Sequence, residues 1–396
     1  MSEAKRRAKR DGHPPHRPLN RGGEGAPAGS RPRPRGGNPG SQEDQVRRAA
    51  REAAINEFIA AHAPGPSREQ IAGMMVTLCR MARDGTGRGE MKLLERALGE
   101  LRYAFKTFAP YQHVRKVSIF GSSRTPEVHA DYIQAAAFAE RMRDQNWMVI
   151  TGAGDGIMKA GHGGAGREAS FGVAIRLPFE QRANTIIADD PKLVNFNYFF
   201  TRKLLFMKEA SAVALFPGGF GTLDEGFEVL TLVQTGKTPI IPVVLVDAPG
   251  GRYWQHWRTY VESELLGSGM ISPEDMTLFR LTDDVNVAAA EIFRFYRRYH
   301  SMRYVQDRLV LRLLEPLPAS MVERLNDEFG DIVSTDRIEA TAALPEEADE
   351  HPSLPRLALW FNRRNHGRLR QMIDLINSYD EPAAGPAVGA TSAARV

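Results

Sequence analysis

Five short apolar runs, KVSIFGSS, WMVITGAG, FGVAIRLP, AVALFPGG and IPVVLVD, recur between Lys116 and Asp247, and helical patterns such as EVHADYIQAAAFAERMRDQ intervene between them. This alternation constrains the fold more than any other feature of the chain. Runs this continuously apolar, joined by crossover helices, form strands of a mostly parallel sheet covered on both faces. The expected fold class is therefore α/β, a Rossmann-like doubly wound sheet. In such sheets the ligand crevice lies beyond the carboxyl ends of the strands. Three of those ends are rich in glycine or serine: GSSR at Gly121 to Arg124, TGAGDG at Thr151 to Gly156, and PGGFGT at Pro217 to Thr222.

Amphipathic stretches flank this core. Before it, DQVRRAAREAAINEFIAAHA, SREQIAGMMVTLCRMARDG and GEMKLLERALGELRYAFKTF read as three helices, with Ser67 and Gln70 spaced as a capping box. After Tyr299, the order strand (DRLVLRLL), helix (ASMVERLNDEFGDIV), two strands (DRIEATAAL, PRLALWFN) and helix (HGRLRQMIDLINSY) suggests a small α+β module of ferredoxin-like type. EEADEHPSLP is expected as its exposed acidic loop. An effector site, an interaction surface and a purely structural role are all open to this module. The resulting organisation is a disordered basic tail (1–44), a helical extension (45–112), the α/β domain (113–300), the α+β module (301–380) and a disordered end (381–396).

Charge separates the tail from the rest. The net charge is +4, but Met1 to Gln42 hold ten Lys/Arg against three Asp/Glu, so the remainder carries −3. HRPLNRGGEGAPAGSRPRPRGGNPGSQ has too few large apolar residues to order itself, and a weak contact with RNA, DNA or an acidic partner is the most it suggests. Nucleic acid is otherwise not an expected partner. The single Cys79 cannot pair within the chain and suits a reducing compartment; its neighbours in GMMVTLCRMAR read as a buried helical face. The longest apolar run, PIIPVVLV, is well short of the roughly 20 residues of a membrane span. A cytoplasmic protein with no membrane partner is expected.

The loops exclude several chemistries. Gly152, Gly154 and Gly156 give G-x-G-x-G, but Ile157 stands where a dinucleotide fingerprint needs its third glycine, and no Gly-Lys-Ser/Thr follows any loop. No His-x-x-Glu-His motif or Cys/His cluster offers a metal site. PGGFGTLDE reads instead as an anion cradle. Gly218, Gly219 and Gly221 are expected to take positive φ and let the backbone approach a phosphate, while Thr222 opens a helix whose N–H groups face the crevice. A tight turn whose glycines serve only packing is the plain alternative. Asp224 and Glu225 would then sit in the first turn of that helix, where they either complement its dipole or point into the cleft.

PGGFGTLDE, together with TRK at Thr201 to Lys203 and FGSSR after the first strand, resembles the LOG (lonely guy) family of nucleoside 5'-monophosphate phosphoribohydrolases over roughly Val114 to Tyr299. That family's motifs read PGGxGTxxE with an Arg-Lys pair upstream, and its members were long labelled possible lysine decarboxylases. No pyridoxal-lysine context supports the older label, and no cofactor is implied. The resemblance implies hydrolysis of the N-glycosidic bond of AMP or a related purine or cytokinin nucleotide. It assigns Glu225 and Arg202 as the catalytic pair, and Gly121, Ser122, Gly218, Gly219, Gly221 and Thr222 to the phosphate and ribose. Lys203, Asp224 and Gly154 are secondary, Lys203 because it projects about 100° around the helix from Arg202. Phe199 and Phe200 replace the Met-His of the short plant-type members, which leaves the base open. A nucleotide-binding sensor on the same fold is the alternative function. The family also implies a homodimer or higher oligomer, for which Phe227, Leu230 and Leu232 offer an apolar face.

Overall fold

The computed structural model describes residues 42–63, 65–177, 183–347 and 350–379. The basic tail up to residue 41 and the end from residue 380 lie outside these. The chain divides into two compact units at Arg88. The first holds α1 (Gln42–His62) and α2 (Arg68–Arg83), which pack on each other. Two expectations fail here. Ser67 makes no side-chain cap hydrogen bond, so the capping box does not form. Cys79 is exposed rather than buried, because α2 contributes no buried residue. An amphipathic pattern marks a face that can be covered; it does not supply the cover.

The second unit begins with α3 (Arg88–Phe108) and is built on seven strands: β1 (Lys116–Phe120), β2 (Met148–Thr151), β3 (Ser170–Ile175), β4 (Leu193–Phe196), β5 (Ala212–Leu215), β6 (Val243–Val246) and β7 (Arg280–Thr282). Their order is β4-β3-β2-β1-β5-β6-β7, and every pairing is parallel. The chain winds outward from β1 to β4, returns to β5 on the other side and winds outward again, so the topological switch falls between β1 and β5.

Period-2 alternation divides the strand residues between two cores. Val117, Ile119, Val149, Val244 and Val246 face α4 (Ala130–Asp144), α5 (Ile157–Ala165) and, in chain order after α6 (Phe199–Glu209), α7 (Phe220–Gln234) and α8 (Tyr253–Tyr260), the helix α9 (Val285–Phe295). Ile150, Val173, Val213, Leu215 and Leu245 face the opposite layer, where Phe108 of α3, Phe206 of α6 and Val229 of α7 are buried. The sequence pattern missed β4 and β7, which are short edge strands with half-exposed positions.

The C-terminal segment departs from the expected β-α-β-β-α order by one strand. It runs β8 (Tyr299–Val305), β9 (Arg308–Leu313), α10 (Ala319–Phe329), β10 (Val333–Thr341), β11 (Arg356–Phe361), α11 (His366–Ser378), with an antiparallel sheet in the order β10-β11-β9-β8. β9, α10 and β10 with β11 inserted form a split β-α-β unit, and the unforeseen β8 takes the fourth place beside β9. β8 escaped notice because YHSMRYV is polar and mostly half-buried. Ile373 and Met372 of α11 join the same apolar cluster as Val229 and Val233 of α7.

The expected acidic loop is exposed at Glu346 and from Glu350 to Ser353, with residues 348–349 outside the described residues, but Glu347 within it is buried. Glu347 is 1% exposed and lies between Arg312 and Arg356, accepting from Arg312 Nε at 2.9 Å and Arg356 Nε at 3.1 Å. Burial alone would raise its carboxyl. The hydrogen bonds from Arg356, the Leu344 N–H and Arg312 outweigh that and hold it at about 2. Two buried guanidinium groups require this carboxylate, a demand invisible in a stretch that reads as surface.

Candidate functional site

A cavity of about 720 Å3 opens at the switch point. Its walls come from the loop after β1 (Gly121 to Arg124), the loop after β5 with the start of α7 (Gly218 to Glu225), and Arg202 and Phe199 on α6. Of the residues singled out in the sequence, Gly121, Ser122, Arg202, Gly218, Gly219, Gly221, Thr222, Asp224 and Glu225 line this one cavity. Gly154 lines its neighbour instead, and Lys203 stands behind the wall.

The cradle differs from expectation in its backbone. None of Gly218, Gly219 and Gly221 takes a positive φ; Gly219, the N-cap of α7, has φ −87°. Their glycine identity has other causes. A Cβ on Gly218 would stand 2.1 Å from Thr222 Oγ1, so this glycine permits the turn to close. A Cβ on Gly219 or Gly221 would meet no atom within 4 Å and would project into open space. Helical bonding begins with the Thr222 and Leu223 N–H groups, both donating to Gly219 O at 3.1 and 3.2 Å. The amides of Phe220 and Gly221 precede those bonds at the positive end of the helix dipole. The helix thus starts at Phe220, and Asp224 and Glu225 fall beyond its first turn.

The loops brace one another. Ser122 N–H donates to Pro217 O at 3.1 Å, and Ser122 O accepts from Ile157 N–H at 3.0 Å, tying the β1, β5 and β2 loops together. Gly156, at φ +63°, is required there, because a Cβ would lie 2.3 Å from Ser122 O. The Tyr253 hydroxyl donates to Gly218 O at 2.6 Å from the far side. Behind the β2 loop, buried His162 lies 3.0 Å from Thr151 Oγ1 and within 3.3 Å of Asn184, whose amide donates to Ala153 O and Gly154 O. Burial lowers His162 below its ordinary value, which keeps it neutral. This network holds Ala153 at φ +63°. Sequence reasoning passed over Tyr253, His162 and Asn184, since each belongs to a different element and only the fold brings it to a loop.

Arg202 and Lys203 diverge as helical neighbours must, and both matter to Glu225. Arg202 Nε donates to Val173 O at 3.0 Å, and its guanidinium lies over the Phe206 ring at 5.1 Å. Gly152 is glycine for this group's sake, since a Cβ would stand 2.6 Å from Arg202 Nη2. Lys203, expected to be secondary, reaches across to α7. Its Nζ lies 2.9 Å from Asp224 Oδ2 and 3.5 Å from Glu225 Oε2, and it pairs with Glu228. Burial would lower Lys203, but its hydrogen bonds to Glu228 and Asp224 leave it raised and charged. Thr201 of the same motif donates to Glu100 Oε2 at 2.7 Å; Glu100 also accepts from the Asn197 backbone and amide, pinning the start of α6 to α3.

Glu225 is 8% exposed. Burial raises its carboxyl above the ordinary range, opposed by Lys203 and then Arg202 and assisted by Glu228 and Asp224. A desolvated carboxylate facing a cavity, with cations arranged to keep it ionised, is suited to stabilising positive charge or to accepting a proton. Among the described residues no group of three or more His, Cys, Asp and Glu side chains could hold a metal ion, and no helix is long and apolar enough to cross a membrane.

Residues 154–292 match the protein family described as "Possible lysine decarboxylase". Similar solved structures include the molybdenum cofactor carrier protein from Chlamydomonas reinhardtii, at 17% identity and TM-score 0.33, covering 46% of this chain and 97% of that one. Another is the molybdenum cofactor binding protein from the phototrophic bacterium Rippkaea orientalis, at 17% identity and TM-score 0.31, covering 44% and 91%. No curated protein matches this chain.

Proposed function

We propose that this chain, which carries a LOG-family domain across residues 154–292, hydrolyses the N-glycosidic bond of a nucleoside 5'-monophosphate to a free base and ribose 5-phosphate. The observation that carries the proposal is the single cavity uniting the glycine cradle at the start of α7 with Glu225 and Arg202. The phosphate would sit at the cradle, where helix dipole and open backbone favour an anion. Glu225 then lies a turn further along the same helix, on the sugar side. As the C1'–N bond breaks, the sugar becomes oxocarbenium-like. A buried carboxylate offsets that charge and takes a proton from the water whose oxygen bonds to C1'. The electron pair of the broken bond leaves with the base, which takes up a proton. Arg202, a permanent cation, favours that departure.

We further propose that the protein works as a homodimer or higher oligomer. Leu230 and Leu232, expected on its contact face, pack instead against the core, whereas Phe227 stays exposed. Phe200 and Leu204 of α6 and Tyr103 and Phe105 of α3 are exposed as well, and Lys208 lies over the Phe105 ring. Phe200 and Leu204, four residues apart on α6, share one helix face, and such an exposed apolar stripe favours a second copy.

Incubating the purified protein with AMP, GMP, CMP and isopentenyl-AMP, and following free base by chromatography, tests the activity. Release of base with equimolar ribose 5-phosphate is expected. Binding without release would leave a nucleotide sensor in its place.

A further inference from the structure

The cavity that holds Glu225 adjoins a second of about 730 Å3, and Arg124, Gly152, Met158, Phe199 and Arg202 line both. Charge distinguishes them. In the first, Arg124 and Arg202 are balanced by Asp224 and Glu225, whereas in the second Arg124, Arg176 and Arg202 face the single carboxylate of Asp155. Nearby carboxylates do not redress the excess. Glu127 is paired at 2.6 Å with Lys159 in the first turn of α5. Glu100 shares a smaller hollow with Arg176, but it is buried and committed to Asn197 and Thr201.

The three guanidinium groups reach the cavity from three elements. Arg124 follows β1, and its N–H donates to Ser122 Oγ at 3.1 Å. Arg176 follows β3, and its N–H donates to Phe196 O of β4 at 2.8 Å. Arg202 comes from α6, held through Nε by Val173 O. The backbones of Arg124 and Arg176 are thus fixed, while their side chains are exposed and, among the described residues, make no hydrogen bond or ion pair. Exposed arginines elsewhere differ, since Arg337 pairs with Glu323 and Arg363 with Asp307. A guanidinium presents its donors as a fork that fits a carboxylate or a phosphate, and several of them lining one cleft raise the local concentration of anions.

We propose that the second cavity is an oxyanion seat separate from the glycine cradle, so that the preferred ligand carries, besides its 5'-phosphate, a second anionic group such as a carboxylate at its far end. The inference rests on the reading of the first cavity as a nucleotide site. Size agrees with it. Each cavity alone falls within the range of a small-molecule site, about 300–1,000 Å3, so a ligand spanning both is larger than a plain mononucleotide. The cradle and Glu225 line only the first, and Arg176 and Asp155 only the second. A ligand anchored by its 5'-phosphate at α7 therefore meets Arg176 at its opposite end.

Calorimetric titration of the full-length wild type, Arg176→Ala and Asp155→Asn tests the seat. The probes are AMP, AMP bearing a succinyl group on its N6 amine, and inorganic phosphate with and without saturating AMP. The succinylated nucleotide should bind the wild type about tenfold or more tightly than AMP, with AMP itself held within about twofold in both variants. Arg176→Ala should remove most of that preference, and Asp155→Asn should enlarge it. A misfolded variant cannot produce the second effect. The preference should also shrink as salt rises. If the preference is absent but inorganic phosphate binds the AMP-saturated protein, and does so more weakly in Arg176→Ala, the seat is supported and the attached anionic group is overturned. Absence of both, or a preference that neither substitution moves, would overturn the seat itself. If the wild type binds AMP without releasing base, the hydrolase reading fails, and the same affinities still decide the seat.

Discussion

Replacing Lys203 with methionine removes the cation that lies 3.5 Å from Glu225 Oε2 and 2.9 Å from Asp224 Oδ2. Three carboxylates, Asp224, Glu225 and Glu228, then face one another without it. At an effective dielectric of about 20, the attraction lost at 3.5 Å is about 5 kcal/mol before competing contributions. Asp224 and Glu228 share the same ammonium, and half-exposed Glu228 is open to water, so about 1.4–2.8 kcal/mol should reach the reaction, a 10- to 100-fold fall in kcat near neutral pH. The sign follows from the causes at Glu225. Lys203 is the largest influence lowering its carboxyl against burial, so its removal moves that group upward. If catalysis needs the carboxylate, the acid limb of the kcat/KM profile moves to higher pH, and activity recovers partly in alkaline buffer. Lys203→Arg should restore the limb. The assay is free-base release from AMP across pH, with thermal melting to verify folding. A folded Lys203→Met protein with an unmoved acid limb would refute the electrostatic role.

Other consequences are separable from this one. Gly219→Val should melt like the wild type, because its side chain enters open space, but should weaken AMP with little effect on adenosine, and comparable kcat/KM for AMP and adenosine in the wild type would refute the cradle. Gly218→Ala should instead destabilise the fold by about 1–3 kcal/mol in urea denaturation, since its Cβ would collide with Thr222 Oγ1. Glu347→Gln should cost about 3–5 kcal/mol, because buried Arg356 loses its carboxylate and buried Arg312 keeps only exposed Glu350. Because Glu347 is held at about 2 against an ordinary 4.5, the wild type has this contribution in full above the ordinary value and loses it as pH falls toward 2. It is on the order of 3 kcal/mol, and urea midpoints measured down that range should fall less steeply in the variant. Light scattering of the full-length protein should report at least a dimer, and an active monomer at micromolar concentration would contradict the proposed oligomer.

The sheet and the cavity were legible because both depend on local signals. Buried parallel strands must be apolar along their length, and glycines at their carboxyl ends must be small, so β1, β2, β3, β5 and β6 and the PGGFGT loop could be read directly. β4 and β7 gave no such signal, because an edge strand is covered on fewer sides. The role of Lys203 was hidden for a different reason. Helical spacing shows that it leaves Arg202's side, and only tertiary packing shows that it arrives among the carboxylates of α7. Glu347 illustrates the same limit, since an acidic residue in a loop reads as surface until two arginines from separate strands close over it. The glycines of the cradle were found at the right places for partly wrong reasons: clearance, rather than left-handed backbone, requires Gly218.

The most direct measurement is the turnover of AMP by Glu225→Gln, made alongside calorimetric binding of AMP to the same variant. Glutamine keeps the size of the side chain and removes its charge, so the loss should fall on the step in which the sugar becomes cationic. The account predicts AMP binding close to that of the wild type, with kcat reduced by about 100-fold or more, at least about 2.7 kcal/mol of transition-state stabilisation. A variant that retained more than about a tenth of wild-type kcat, a loss under about 1.4 kcal/mol, would remove Glu225 from the chemistry and contradict the mechanism.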